Sequence, residues 1–269
     1  MTAPSLDVIR RNNVHVTGNP SGQPILFVHG FGGSQQSWRY ITPEFQNDYK
    51  IVLLDLVGSG NSDVAAYDRG KYDSLHGYVD DVLEVIDTLD LRDVILIGHS
   101  VSGIIGLLAS NRRPELFSKL VLIGPSPRYL NDDGYPGGFS RQAVDEILDS
   151  LDSNYMGWSA TMGSTLMGNA ERPELAEGLA DTIGAINPAI ASQFARVTFL
   201  SDNRRDLADV TTPTLILQSS EDVIAGLPVG QFVHESIAGS QFVVMTSRGH
   251  VPILSAPLEV ARHISAFLT

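Results

Sequence analysis

The sequence predicts an α/β fold built on a mostly parallel sheet, and three observations support this fold class. Short apolar and β-branched runs recur along the 269 residues, as is typical of strands buried on both faces of a parallel sheet. Helical patterns lie between the runs, and such alternation indicates an α/β fold. Hydrophobic residues make up 43% of the chain, which is enough for a well-buried core.

Seven apolar runs are the candidate strands. In chain order they read NVHV, PILFVHG, KIVLLD, VILIG, KLVLIG, TLILQ and QFVVM. Most are apolar throughout rather than alternating, so we expect helices to cover both faces of the sheet.

Apolar residues at three- and four-residue spacing mark the helices. One set precedes VILIG and another lies near the C-terminus: Tyr78, Val82, Ile86 and Leu89, and Val260, Ile264 and Phe267. From about Ser126 to Asp206 no strand pattern occurs, and a helical stripe there follows Ser140, a residue type that caps helices. We predict a core of residues 1–125 and 206–269 into which residues 126–205 insert as a helical cap.

Composition argues against several classes of partner and location. The formal net charge is −13, which repels nucleic acid and anionic lipid surfaces. Cysteine is absent, which excludes disulfides and favours the cytosol. The N-terminal residues lack the apolar region of a signal peptide, and the uncharged stretches 94–111 and 153–170 carry polar side chains that a bilayer would leave unsatisfied. We expect a cytoplasmic protein that binds neither nucleic acid nor membranes.

The stretch VILIGHSVSG, residues 94–103, has the pattern of a nucleophile elbow. A strand pattern runs into Ser100 and an apolar helical pattern follows, as in the sharp turn that lifts a serine hydroxyl above a sheet edge. Small residues must flank the serine because the two backbones approach closely. Ser102 stands where glycine is usual and adds only a hydroxymethyl group. An ordinary turn is the alternative, so the partners of Ser100 decide.

A serine nucleophile needs a general base. In this architecture the base is a histidine, and it follows the acid in the sequence. Three histidines lie C-terminal to Ser100: His234, His250 and His263. His250 follows the last strand run, in a loop expected at the same sheet edge as Ser100. The other two fall in helical patterns and are interpreted as surface histidines.

The acid that orients His250 should follow TLILQ, which leads into SSEDVIA. We predict Asp222 rather than Glu221, because the shorter carboxylate suits the geometry of such a triad. The sequence leaves open an exchange of these two roles. A buried Asp222 would hold the tautomer of His250 and stabilise its imidazolium.

Two backbone N–H groups are expected to bind the developing oxyanion. One belongs to Val101, directly after Ser100, and the other to Phe31 in HGFGG, residues 29–33. The sequence has neither metal-ligand spacing nor a glycine-rich nucleotide motif. We therefore expect no metal and no cofactor.

Trp158, Met162 and Leu166 recur at four-residue spacing within the predicted cap. Such a stripe indicates either ordinary packing or, because it would lie over Ser100, the lining of an apolar substrate pocket. In the second interpretation the substrate is small and uncharged.

With the elbow, HGFGG, SSEDVIA and SRGHVP in this order, the chain resembles the α/β-hydrolase superfamily over essentially its full length. Its stretches GHSVSGIIGLLAS, PSPRYLND, NYMGW and QFARVTFLSDNRRDL resemble the RsbQ-like clade, which includes bacterial stress-response regulators and plant strigolactone and karrikin receptors. The resemblance implies a mostly parallel eight-stranded sheet with a four-helix cap, and a Ser100, Asp222 and His250 triad beneath a closed hydrophobic cavity. Ser102 and Gly226 depart from the pattern of the clade.

Two functions are compatible with these features. The first is a serine hydrolase that cleaves small hydrophobic esters or lactones through an acyl-enzyme. The second, implied by the resemblance, is a ligand-sensing component with slow hydrolase activity that acts through a signalling protein partner. An inactive member of the fold is disfavoured because all three triad residue types are present, and aspartate-nucleophile chemistry is disfavoured because the elbow residue is Ser100.

Overall fold

One seven-stranded sheet organises this computed structural model, which describes residues 4–269. The strands are β1 (His15–Gly18), β2 (Pro24–Val28), β3 (Lys50–Leu54), β4 (Val94–His99), β5 (Phe117–Ile123), β6 (Thr214–Gln218) and β7 (Gln241–Val244). Their order is β1-β3-β2-β4-β5-β6-β7. Only β1 is antiparallel to its neighbour, so six strands end at the same edge.

The prediction of eight strands is wrong for the described residues, whose sheet has seven. The chain enters through a helix, α1 (Pro4–Arg11), and β1 is the outermost strand on that side. Leu6 and Ile9 are three residues apart, a helical rather than a strand spacing. The α/β class and the mostly parallel sheet are confirmed.

Nine further α-helices complete the described chain. They are α2 (Leu75–Thr88), α3 (Val101–Arg112), α4 (Arg141–Ser153), α5 (Tyr155–Met167), α6 (Pro173–Gly184), α7 (Pro188–Leu200), α8 (Leu227–Ser236), α9 (Pro252–Ser255) and α10 (Pro257–Leu268). Helices α4 to α7 lie between β5 and β6 with no intervening strand, and we call them the four-helix segment. In residues 4–269, no helix has the length and apolarity that crossing a bilayer requires.

Alternate strand residues face two separate hydrophobic clusters. On β2, Ile25 and Phe27 join the cluster shared with the four-helix segment, whereas Leu26 and Val28 join the cluster shared with α2 and α3. Both clusters are buried, which explains why the central strands carry apolar residues on both faces.

Close packing of α3 on β4 depends on Gly106. A Cβ atom built on Gly106 would overlap the side chain of Leu96. Gly178 in α6 is also a mid-helix glycine, but a Cβ there would meet no atom within 4 Å. Alanine substitutions at the two positions therefore distinguish the effect of helix propensity from the effect of packing.

Gly106→Ala should lower the free energy of unfolding by about 1–3 kcal/mol, because the added methyl group overpacks the core. Gly178→Ala should raise it by about 0.5–1 kcal/mol, because alanine is the better helix former and the site is open. Urea denaturation with an unchanged m-value measures both. A Gly106→Ala protein as stable as wild type would contradict the packing argument.

Candidate active site

The turn between β4 and α3 presents the hydroxyl of Ser100. Ser100 has φ 56°, in the left-handed region that residues other than glycine rarely occupy. A Cβ on Gly98 would overlap the backbone carbonyl of Ser102, so glycine is required there. The N–H of Ser100 donates to the carbonyl of Ile123, at 2.8 Å. This bond fixes the strained turn to the end of β5.

Ser100, His250 and Asp222 form a continuous chain of hydrogen bonds. The Oγ atom of Ser100 lies 2.7 Å from His250 Nε2, and His250 Nδ1 lies 2.8 Å from Asp222 Oδ2. Ser100 is 6% and His250 3% exposed. The arrangement allows His250 to accept the serine proton while Asp222 accepts a hydrogen bond from the other ring nitrogen.

Asp222, and not Glu221, contacts the imidazole. Its Oδ1 atom accepts hydrogen bonds from the backbone N–H groups of Ile224, at 2.8 Å, and Ala225, at 3.1 Å. Burial alone would raise the pKa of Asp222, but His250 and these N–H groups outweigh it and hold the pKa below its ordinary value. Glu221 is exposed, and its carboxylate lies 3.4 Å from Arg248. Asp222 is therefore the carboxylate that stays ionised beside His250.

The backbone of His250 is held from two directions. Its N–H donates to the carbonyl of Leu166, at the end of α5, at 2.7 Å. Its carbonyl accepts a hydrogen bond from His99 Nε2, also at 2.7 Å. The residues interpreted as surface histidines, His234 and His263, do not line the cavity beside Ser100.

The backbone segments that carry Phe31 and Val101 are both next to Ser100. A Cβ on Gly30 would lie 3.1 Å from the Cβ of Ser100, so the loop that carries Phe31 passes against the elbow. Val101 is the first residue of α3, and the N–H of a first helical residue has no acceptor within its helix. Both N–H groups thus belong to backbone adjacent to the serine.

A mainly apolar cavity lies over Ser100. Trp158, Met162 and Leu166 all line it, and they also belong to the larger hydrophobic cluster. Their stripe is therefore both packing and cavity wall. The ring of Trp158 lies edge-on to that of Phe31, with centroids 6.0 Å apart.

Several cavity residues were not predicted from the sequence. Tyr129 lies in the loop after β5, and its hydroxyl is 3.5 Å from Ser100 Oγ; burial raises the pKa of Tyr129, so the hydroxyl stays neutral. Thr198 in α7 also lines the cavity. Among the described residues, Thr198 Oγ1 and Trp158 Nε1 are buried without a hydrogen-bond partner. Only the PSPRYLND motif drew attention to Tyr129, and no pattern pointed to Thr198.

Known proteins resemble the chain over nearly its full length. It is 37% identical over 260 residues to strigolactone esterase D14 of Arabidopsis thaliana, with 96% of each chain covered. It is 35% identical over 247 residues to karrikin insensitive 2 receptor CA of Petunia hybrida, with 91% of each covered. A solved hydrolase structure from Oleispira antarctica matches with a TM-score of 0.95 at 37% identity, covering 98% of this chain and 96% of that one.

A model described as the alpha/beta hydrolase family matches residues 25–263. The match includes strands that precede and strands that follow the four-helix segment, that segment itself, and Ser100, Asp222 and His250. It confirms the resemblance drawn from the motifs. The chain belongs to the alpha/beta hydrolase family.

Proposed function

We propose that this protein is a serine hydrolase of small hydrophobic esters or lactones. The observation that carries the proposal is the chain of hydrogen bonds from Ser100 through His250 to Asp222, 2.7 and 2.8 Å long. Relatives named as esterases and hydrolases support the same reaction class.

In the proposed reaction, His250 Nε2 takes the proton of Ser100 as Oγ attacks the ester carbonyl carbon. The carbonyl oxygen becomes an oxyanion that accepts hydrogen bonds from the N–H groups of Phe31 and Val101. The bond to the leaving oxygen then breaks, and His250 returns the proton to the departing alcohol. Water, deprotonated by His250, then attacks the acyl group on Ser100. The bond from the acyl carbon to Ser100 Oγ breaks, His250 returns the proton to that oxygen, and the carboxylic acid is released. In a lactone the alcohol stays attached to the acyl group.

His250 rather than its neighbour His99 is the proposed base. Burial lowers the pKa of His99 to about 3, and its Nε2 donates to the carbonyl of His250. A ring nitrogen that already donates to a carbonyl cannot accept a serine proton. The proposed role of His99 is to hold the His250 loop.

We propose that residues 126–205 act as the cap and determine which substrates fit. The cap would contribute Trp158, Met162 and Leu166 from α5 and Thr198 from α7 to the cavity wall. A mainly apolar wall favours small uncharged substrates. The unpartnered Trp158 Nε1 and Thr198 Oγ1 favour a ligand with an acceptor oxygen in addition to the scissile ester.

Ligand sensing through a signalling protein partner is a second candidate. The relatives named strigolactone esterase D14 and karrikin insensitive 2 receptor CA support it. The same pocket would then bind or slowly hydrolyse the ligand, and a partner protein would respond to the occupied state. A ligand-dependent complex with very slow turnover would favour this function over rapid hydrolysis.

Ser100→Ala should reduce the release of nitrophenol from a short-chain nitrophenyl ester by roughly 10³-fold or more, because removal of the nucleophile leaves only binding and oxyanion stabilisation. Wild type and variant are compared at equal protein concentration. Equal rates in the two proteins would contradict the proposed catalysis. A single burst of nitrophenol without turnover in wild type would favour ligand sensing.

Thr198→Val should lower kcat/KM for an ester with an extra acceptor oxygen by roughly five- to tenfold, as expected for one lost hydrogen bond. Nitrophenyl methoxyacetate and nitrophenyl butyrate have nearly the same shape, and only the first carries an ether oxygen. The ratio of the two kcat/KM values in the variant is compared with that in wild type, which cancels their intrinsic reactivity. An unchanged ratio would remove Thr198 from the proposed recognition.

His99→Gln should weaken the acid sensitivity of the fold. The pKa of His99 is lowered to about 3 from 6.5, so between these pH values the unfolded chain binds a proton that the folded chain excludes. Stability must then fall as pH falls, by about 2 kcal/mol between pH 7 and pH 5 from this residue. Glutamine keeps an N–H for the His250 carbonyl without titrating. Urea denaturation at both pH values should show a smaller drop in the free energy of unfolding for the variant than for wild type. Equal drops in the two proteins would contradict the lowered pKa of His99.

A further inference from the structure

The N–H of Phe31 and the carbonyl of Gly30 belong to the same peptide group. No peptide bond in the described chain is cis, and in a planar trans peptide the C=O and N–H point in opposite directions. Whatever fixes the carbonyl of Gly30 therefore also fixes the direction of the Phe31 N–H. This direction decides whether the N–H meets an oxyanion on the substrate.

Two groups fix that carbonyl: the N–H of Gly33, which donates to it at 3.1 Å, and the imidazole of His29. Its Nδ1 atom lies 2.8 Å from the oxygen of Gly30, and its Nε2 atom accepts the N–H of Leu56 at 3.0 Å. Because a backbone N–H can only donate, Nε2 carries no proton and Nδ1 must be the donor. His29 is 0% exposed, and the ring is held by backbone groups on both sides.

The hydroxyl of Ser102 fixes the preceding peptide. Its Oγ atom donates to the carbonyl of His29 at 2.5 Å, and the side chain is 0% exposed. Ser102 is the second residue of α3, so this bond ties the elbow helix to the residue after β2. A glycine at this elbow position could not make the bond.

We propose that His29 and Ser102 are positioning residues that orient the oxyanion donor Phe31, an inference that rests on the proposed hydrolase function. The two side chains hold consecutive carbonyls, of His29 and Gly30, and leave the next N–H directed at the site beside Ser100. The serine at position 102 is then a functional replacement of glycine and not merely a tolerated one. Loss of either side chain should weaken transition-state binding and leave ground-state binding unchanged.

The first test compares Ser102→Ala with Ser110→Ala. Ser110 is a matched control because it is buried in the same helix, and its hydroxyl donates to the carbonyl of Leu107 at 3.1 Å, away from the cavity. Ser102→Ala should lower kcat for a short-chain nitrophenyl ester roughly tenfold with KM unchanged, since a misaligned donor costs less than the 10²–10³ of a missing one. Ser110→Ala should keep the wild-type kcat. Equal kcat in all three proteins would overturn the role of Ser102.

The second test separates the two ring nitrogens of His29. Asparagine places an amide N–H near the Nδ1 position, whereas glutamine places its amide near Nε2. His29→Asn should therefore keep most of kcat, and His29→Gln should lose roughly ten- to a hundredfold. A role in stability alone predicts losses that follow the urea midpoints of the two variants, and that result would overturn the assignment.

A transition-state analogue provides a readout that does not depend on turnover. A short alkyl trifluoromethyl ketone adds to Ser100 and forms an oxyanion, whereas its reduced alcohol binds without one. Affinity for the ketone should fall in parallel with kcat in Ser102→Ala, and affinity for the alcohol should stay constant. Parallel loss of both would contradict the inference.

Failure of the proposed function and failure of the inference give different results. If Ser100→Ala retains activity, the proposed function fails. If Ser100→Ala is inactive but Ser102→Ala is fully active, only the role of Ser102 fails. If the His29 variants do not fold, the comparison of Ser102→Ala with Ser110→Ala decides the inference.

Discussion

Four hydrogen bonds of one residue, His250, hold the site together, and they reach three separate parts of the chain. The ring contacts Ser100 at the elbow and Asp222 in the loop after β6. The backbone donates to Leu166 in α5 and accepts from His99 at the end of β4. Displacing any of these elements would move the imidazole, so the sheet edge, the elbow and the four-helix segment are coupled through it.

This close approach of α5 to the His250 loop requires glycine at position 249. Gly249 has φ 83°, a conformation that favours glycine. A Cβ on Gly249 would overlap the carbonyl of Met167, the last residue of α5. Any side chain there would push α5 away and break the bond from the His250 N–H to Leu166. The wall of the cavity and the position of the imidazole thus depend on the same absent side chain.

Sequence patterns predicted the features that arise from local preference and burial. Strands β2 to β7 follow the apolar runs because each faces a buried cluster on at least one side of the sheet. The first strand begins at His15, two residues after the start of NVHV, and all its residues are exposed, so burial does not define its bounds. Asp222 could be favoured over Glu221 by length alone, but the hydrogen bonds from Ile224 and Ala225 that fix its carboxylate depend on the folded loop. The bond of Ser102 to His29 and that of His250 to Leu166 join distant segments, which no local pattern can predict.

Three buried histidines surround Ser100, and their partners separate their proposed roles. Both ring nitrogens of His29 contact backbone groups, and Nε2 of His99 contacts a backbone carbonyl. Backbone groups do not titrate, and burial lowers the pKa of both rings, so these two histidines stay neutral and set geometry. His250 alone contacts two side chains that can exchange or stabilise a proton. In the proposed mechanism one histidine therefore transfers the proton, while the other two hold the loop that carries Phe31 and the loop that carries His250.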